Sequence, residues 1–132
     1  MKRFILIFAL MVFVTTLSAQ DKNQIVIDED SGKPMLVGYT TREALSDSAF
    51  AWWYNSGYEF YEVDLESIEP VKNMLDDVSV TIVMGTWCSD SRTEVPHFLK
   101  IMDALDFPDQ RLDRRAIGHG HVHHGGGGAD AA

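Results

Sequence analysis

The chain of 132 residues holds a single cysteine, Cys88, in the segment Thr86-Trp87-Cys88-Ser89-Asp90-Ser91. That segment follows directly on the apolar run Val78-Ser79-Val80-Thr81-Ile82-Val83-Met84, so the thiol falls where a strand gives way to a helix. A sulfur at a helix N-terminus faces unpaired backbone N–H groups and the positive end of the helix dipole. Both favour thiolate, the form that attacks disulfides. Ser91 stands three residues on, where a dithiol site would keep its second cysteine. An internal disulfide is impossible with one cysteine, so Cys88 is unpaired, bonded to another molecule, or catalytic.

Asp90 pulls in one of two directions. A carboxylate close to the sulfur raises the thiol pKa against the helix dipole. As an N-terminal cap it would instead accept backbone N–H groups, and the cap is the expected role. The plain alternative for Cys88 itself is a buried, inert thiol.

These residues depend on the elements around them. The β-branched run at 78–84 suits a central strand covered on both faces. After Cys88, Val95, Phe98, Leu99, Met102 and Leu105 recur at helical spacing, with Lys100, Asp103 and Asp106 opposite. Pro96 lies inside that helix, where it removes a hydrogen bond and kinks the axis. Phe107-Pro108 closes the element. Upstream, Ile25-Val26-Ile27 and Met35-Leu36-Val37 flank the turn 28–34 and are expected to pair as short strands. Thr40 to Glu43 reads as a capping box. It opens a helix from Thr41 to about Asn55, with Leu45, Ala49, Trp52 and Trp53 on one side and Gly57 as its stop. The two tryptophans read as core or lid packing. Tyr58 to Val63 reads as extended, and a helix beginning near Ser67 and Pro70 runs to about Asp76.

Residues 1–19 have the three-part pattern of a secretory signal peptide. Lys2-Arg3 precedes the apolar run Phe4–Val14, and Leu17-Ser18-Ala19 supplies the small residues before a cut expected after Ala19. The implied location is periplasmic or extracellular, an oxidising setting, with membrane contact only during export. Residues 20–110 carry six Lys/Arg against eighteen Asp/Glu, a surface that repels nucleic acid and anionic lipid.

From Ala116 to Ala132, fourteen of seventeen residues are Gly, His or Ala, a composition that cannot bury enough surface to fold. Residues 113–132 are therefore expected to form a disordered tail. His119, His121, His123 and His124 offer weak transition-metal affinity, but a glycine-rich tail does not preorganise them, so no metal site and no cofactor is expected. His97 reads as an ordinary helical residue.

Strand, Trp87-Cys88 pair, helix and the proline eight residues past the cysteine together resemble the thioredoxin-like family. The longer string Met84-Gly85-Thr86-Trp87-Cys88-Ser89-Asp90-Ser91, followed by Glu94-Val95-Pro96, is similar to exported bacterial members with a Cys-x-Asp-Ser site. The resemblance implies a three-layer α/β fold with an N-terminal helical extension at 20–63 and a thioredoxin-like domain beginning at 64. It makes Cys88 the nucleophile, Trp87 the residue packed beside it, Pro96 the kink proline and Ser91 the occupant of the resolving position.

The implied activity is thiol–disulfide exchange of monothiol type on exported protein thiols or disulfides. The alternatives are a non-enzymatic binding module and an inactive truncated fragment. The family also implies two more strands, a last helix and a cis-proline loop facing the cysteine. Residues after Pro108 are expected to supply none of them, so the domain is expected to stop at 112 with its C-terminal half missing or replaced. The tail composition is that of an out-of-frame or artificial terminus.

Overall fold

The computed structural model describes residues 22–120, so the signal-peptide segment and His121, His123 and His124 lie outside the described residues. Two apolar runs around the turn at 28–33 pair as expected. Strand β1 (Gln24–Ile27) runs antiparallel to β2 (Pro34–Tyr39), with Ile25 opposite Leu36. The Asp28 carboxylate holds the turn, accepting from the Asp30 N–H at 3.1 Å and the Ser31 hydroxyl at 2.7 Å.

The long helix expected over 41–55 is two helices. Thr41 caps α1 (Arg42–Leu45), its hydroxyl accepting from the Ala44 N–H. Asp47 then ends it: its carboxylate accepts from the Ala49 N–H at 3.1 Å and its carbonyl from the Phe50 N–H at 2.9 Å. Such a local turn competes with the helix for backbone donors. The chain restarts as α2 (Ala51–Phe60), which passes through Gly57 and takes in the first half, Tyr58 to Phe60, of the stretch read as extended. Asp64, not Ser67, caps α3 (Leu65–Lys72) by accepting from the Ser67 N–H, and Pro70 lies within that helix. Strand β3 (Val80–Met84) then leads through the turn 85–88 into α4 (Ser89–Ala104).

The largest departure comes next. A short 3-10 turn, Asp109–Arg111, delivers β4 (Leu112–Ala116), a strand that, past Leu112, is made from residues assigned to the disordered tail. It lies inside the sheet, whose order is β1-β2-β4-β3. It runs parallel to β3 through five residue pairs and antiparallel to β2 at Gly38–Ala116 and Tyr39–Arg115. Leu112, Arg114 and Ala116 are buried while Asp113 and Arg115 are exposed, the two-residue period of a strand with one covered face.

The protein is thus a mixed α/β fold around a four-stranded mixed sheet. Leu36, Leu45, Phe50, Trp53, Leu99 and Leu112 belong to one core beneath the sheet, so residues read as an extension and residues read as a domain share a sheet and a core. The core gathers on one face. Across it, Thr81, Val83, Asp113 and Arg115 are exposed, and among the described residues no helix covers them. Among the described residues the arrangement there is two layers, not three, and β3 stands at the edge of the sheet, not at its centre.

Polar groups close the seam that β4 creates. Arg42 donates twice to Asp103, at 2.6 and 2.8 Å, and the Tyr58 hydroxyl adds a third hydrogen bond at 2.5 Å. The buried Arg114 forks onto Asp109 at 2.8 and 3.0 Å and donates to the Thr40 carbonyl at 3.2 Å. Arg42 also reaches Asp109, at 3.3 Å. Burial works against the charge on Asp103, but the Arg42 and Tyr58 donors outweigh it and hold the carboxyl below its ordinary pKa. Asp109 is lowered chiefly by its Arg114 hydrogen bonds.

Candidate functional site

The turn between β3 and α4 is built by its own sequence. The Cys88 N–H closes it by donating to the Gly85 carbonyl at 2.9 Å. Thr86 is buried, and its hydroxyl accepts from the Leu36 N–H of β2 at 3.0 Å, tying the turn to the neighbouring strand. Gly85 carries no side chain because Trp87 folds back over it: a Cβ there would sit 2.8 Å from Trp87 Cε2. The indole Nε1–H donates to the Ile117 carbonyl at 3.1 Å, and the ring meets His119 edge-on at 4.5 Å. The segment just past β4 therefore pins the tryptophan beside the cysteine.

Cys88 is half-buried and occupies the N-cap position of α4, its carbonyl accepting from the Arg92 N–H at 3.1 Å. The side chain makes no conventional capping hydrogen bond. Its sulfur instead feels the backbone N–H of Ser91 most strongly, then that of Asp90, and these hold the thiol below its ordinary pKa. Partial desolvation and the Asp90 carboxylate oppose the shift, and the Ser91 side chain adds to it. The helix terminus thus prevails over Asp90. Asp90 does not cap the helix, because Cys88 does; it sits in the first turn, where a carboxylate complements the dipole.

Ser91 does more than fill a vacated position. Its Oγ accepts from the Gly85 N–H at 3.1 Å, which locks the strand end to the first helical turn. With that lone pair engaged, the hydroxyl proton is free to serve the Cys88 sulfur.

Pro96 is fully buried within α4. It meets Gly57 of α2, where an added Cβ would lie 2.7 Å from Pro96 Cγ. The glycine read as a helix stop is a contact point for the kink proline. Beside it, His97 stacks on Tyr61 at 4.2 Å. Trp53 is buried as expected, but Trp52 is 65% exposed, with the Arg92 guanidinium 5.4 Å from its ring centre. Arg92 also donates Nε–H to the Thr86 carbonyl at 2.7 Å, linking the turn to α2.

Thr86, Arg92 and Ile117 were not legible as site residues: the first two are ordinary surface types by sequence, and the third lay in the presumed tail. The described histidine of that tail, His119, meets Asp28 and Asp30, with ligand-type atoms of the three within 4.8 Å of one another. Its Nδ1 lies 4.0 and 3.8 Å from the two carboxylates, distances of loose ion pairing if the ring is protonated.

The structure therefore brings together Trp87, Cys88, Asp90 and Ser91 at one helix end and sets Pro96 in the same helix against α2. No family model, curated protein or solved structure matches the chain.

Proposed function

We propose that this chain is a thiol–disulfide exchange protein of thioredoxin-like architecture, acting on exported proteins through Cys88 alone. One observation carries the reading: the only thiol of the chain stands at the N-terminus of a sixteen-residue helix, with backbone N–H groups holding its pKa down. A partly exposed sulfur in such an environment is a nucleophile.

Attack by the Cys88 thiolate on a substrate disulfide forms a Cys88–sulfur bond and breaks the substrate S–S bond. The departing substrate thiolate takes a proton from water. Ser91 cannot resolve the mixed disulfide, so a second thiolate, of the low-molecular-weight class, attacks the substrate sulfur; a substrate–small-thiol disulfide forms, the Cys88–substrate bond breaks and Cys88 leaves as thiolate. Trp87 is held next to Cys88 by the Ile117 carbonyl and His119, and Pro96 lies within the helix that presents the thiol. The expected setting is outside the cytoplasm, where disulfides persist.

The test is the rate of Cys88 alkylation against pH, read beside the formation of a mixed disulfide with a small aromatic disulfide. The expected midpoint lies below the ordinary cysteine value of about 8.5, with reaction faster than a free thiol at neutral pH. A midpoint at or above that value, with no faster reaction, would assign the module to binding without chemistry.

A further inference from the structure

Among the described residues no strand pairs with the outer edge of β3, and this edge borders a groove of about 560 Å³ that runs along α4 to the first helical turn. Val83, Val95, Phe98 and Ile101 supply its apolar lining, and Asp90 and Glu94 stand among the lining residues at the Cys88 end. No Lys or Arg lines it among the described residues.

Among the described residues the backbone of this edge is unpaired in a definite pattern. The Met84 carbonyl accepts from the Ile117 N–H at 2.8 Å, so Met84 turns its backbone toward the β4 side. In a parallel ladder alternate residues bond to opposite neighbours. Val80, Ile82 and Met84 therefore serve β4, and Thr81 and Val83 direct their N–H and C=O groups outward. An edge of this kind accepts an added strand. Val83, 63% exposed, offers that strand an apolar contact.

We infer that an extended, lysine- or arginine-bearing polypeptide adds as a fifth strand along Thr81 and Val83, which brings its disulfide to Cys88 at the top of the groove. This rests on the exchange reading above and names the substrate class for it: extended basic protein segments, not small disulfides. Charge selects the occupant. The carboxylates of Asp90 and Glu94 favour a cationic segment, and a second copy paired edge to edge would set two such carboxylate pairs against each other in a chain of net charge −9.

The test uses the full chain carrying Cys88→Ser, so that binding is read apart from chemistry. The probe is a cysteine-free peptide of alternating valine and lysine, titrated by calorimetry and by amide hydrogen exchange. Saturable, salt-sensitive binding that slows exchange at Thr81 and Val83 is expected. A peptide N-methylated at alternate residues keeps the side chains but loses the strand donors, and binds about tenfold more weakly or worse. Glu94→Lys weakens the lysine peptide and favours a glutamate counterpart.

Equal binding of the N-methylated peptide, equal binding of lysine and glutamate peptides, or unchanged exchange at Thr81 and Val83 would each overturn the proposal. So would a free chain that sediments as a dimer with those two amides already protected. Cys88 alkylation in the unsubstituted chain without peptide tests the thiol reading separately, and a fast thiol with no peptide binding would sink only the strand-addition proposal.

Discussion

Ser91 decides what kind of chemistry Cys88 can complete. Its hydroxyl supports the thiolate and joins Gly85 to the helix, but it is no leaving group or nucleophile for a mixed disulfide. Ser91→Ala is expected to shift the alkylation midpoint of Cys88 upward and to slow the reaction at pH 6, as measured by a pH–rate profile. The backbone N–H contributions of Ser91 and Asp90 persist in that variant, so the midpoint moves only part of the way to the ordinary value. Ser91→Cys is expected to let a mixed disulfide resolve without added thiol, seen as release of the second substrate thiol, the one bonded to Cys88, and formation of an internal disulfide in mass analysis. Asp90→Asn removes the opposing charge and is expected to lower the midpoint further. A rise would mean that Asp90 acts chiefly on the helix.

Among the elements, the contact between α2 and α4 is set by a glycine. Gly57 gives Pro96 room, and Gly57→Ala is expected to destabilise the fold by about 1–3 kcal/mol through overpacking, measured by chemical denaturation. The gain in helix propensity from the same change, roughly 1 kcal/mol in an open helix, makes this a sharp test, since a stabilised variant would refute the contact.

The helix after Cys88 and the pairing of β1 with β2 were legible because their apolar positions follow clean periods and their turn and kink residues are of a few types. The break at 46–50 was not. It depends on the Asp47 side chain and carbonyl capturing the N–H groups of Ala49 and Phe50, while the apolar spacing runs on across it. Strand β4 was hidden for a different reason. In Leu112-Asp113-Arg114-Arg115-Ala116 the covered face includes an arginine, and nothing local announces that Asp109 satisfies it. The end of the sheet and the residues that hold Trp87 were lost with it, whereas the Trp87-Cys88-Asp90-Ser91 constellation could be read directly.

At the scale of the molecule, β4 is the keystone of the sheet, since it alone joins β2 to β3. A chain ending at Arg111 is expected to lose its cooperative unfolding transition, followed by circular dichroism on heating. Arg114→Ala removes one partner of the half-exposed Asp109 and the donor to the Thr40 carbonyl, at an expected cost of about 1–3 kcal/mol.

The same ionic seam sets the response to acid. Asp103 and Asp109 have folded pKa values below their unfolded ones, so their contribution is complete above the ordinary carboxylate value near 4. It is lost as pH falls through the lowered folded values. Stability measured by urea titration is expected to hold from neutral pH down to about pH 4 and to fall below it, and Arg114→Ala is expected to flatten that fall.

The placement of β4 also fixes an order in time. Tyr39 and Arg115 are 76 positions apart in the chain yet touch in the sheet. The hairpin of β1 and β2 therefore waits for a strand that emerges long after it, and so does β3 with its cysteine-bearing turn. Until residue 116 is free of the ribosome, the edges of β2 and β3 have no partner in this chain, and loop-closure entropy must be met before any long-range ladder forms. A nascent chain in that state presents the β4-facing edges of β2 and β3 to other handlers.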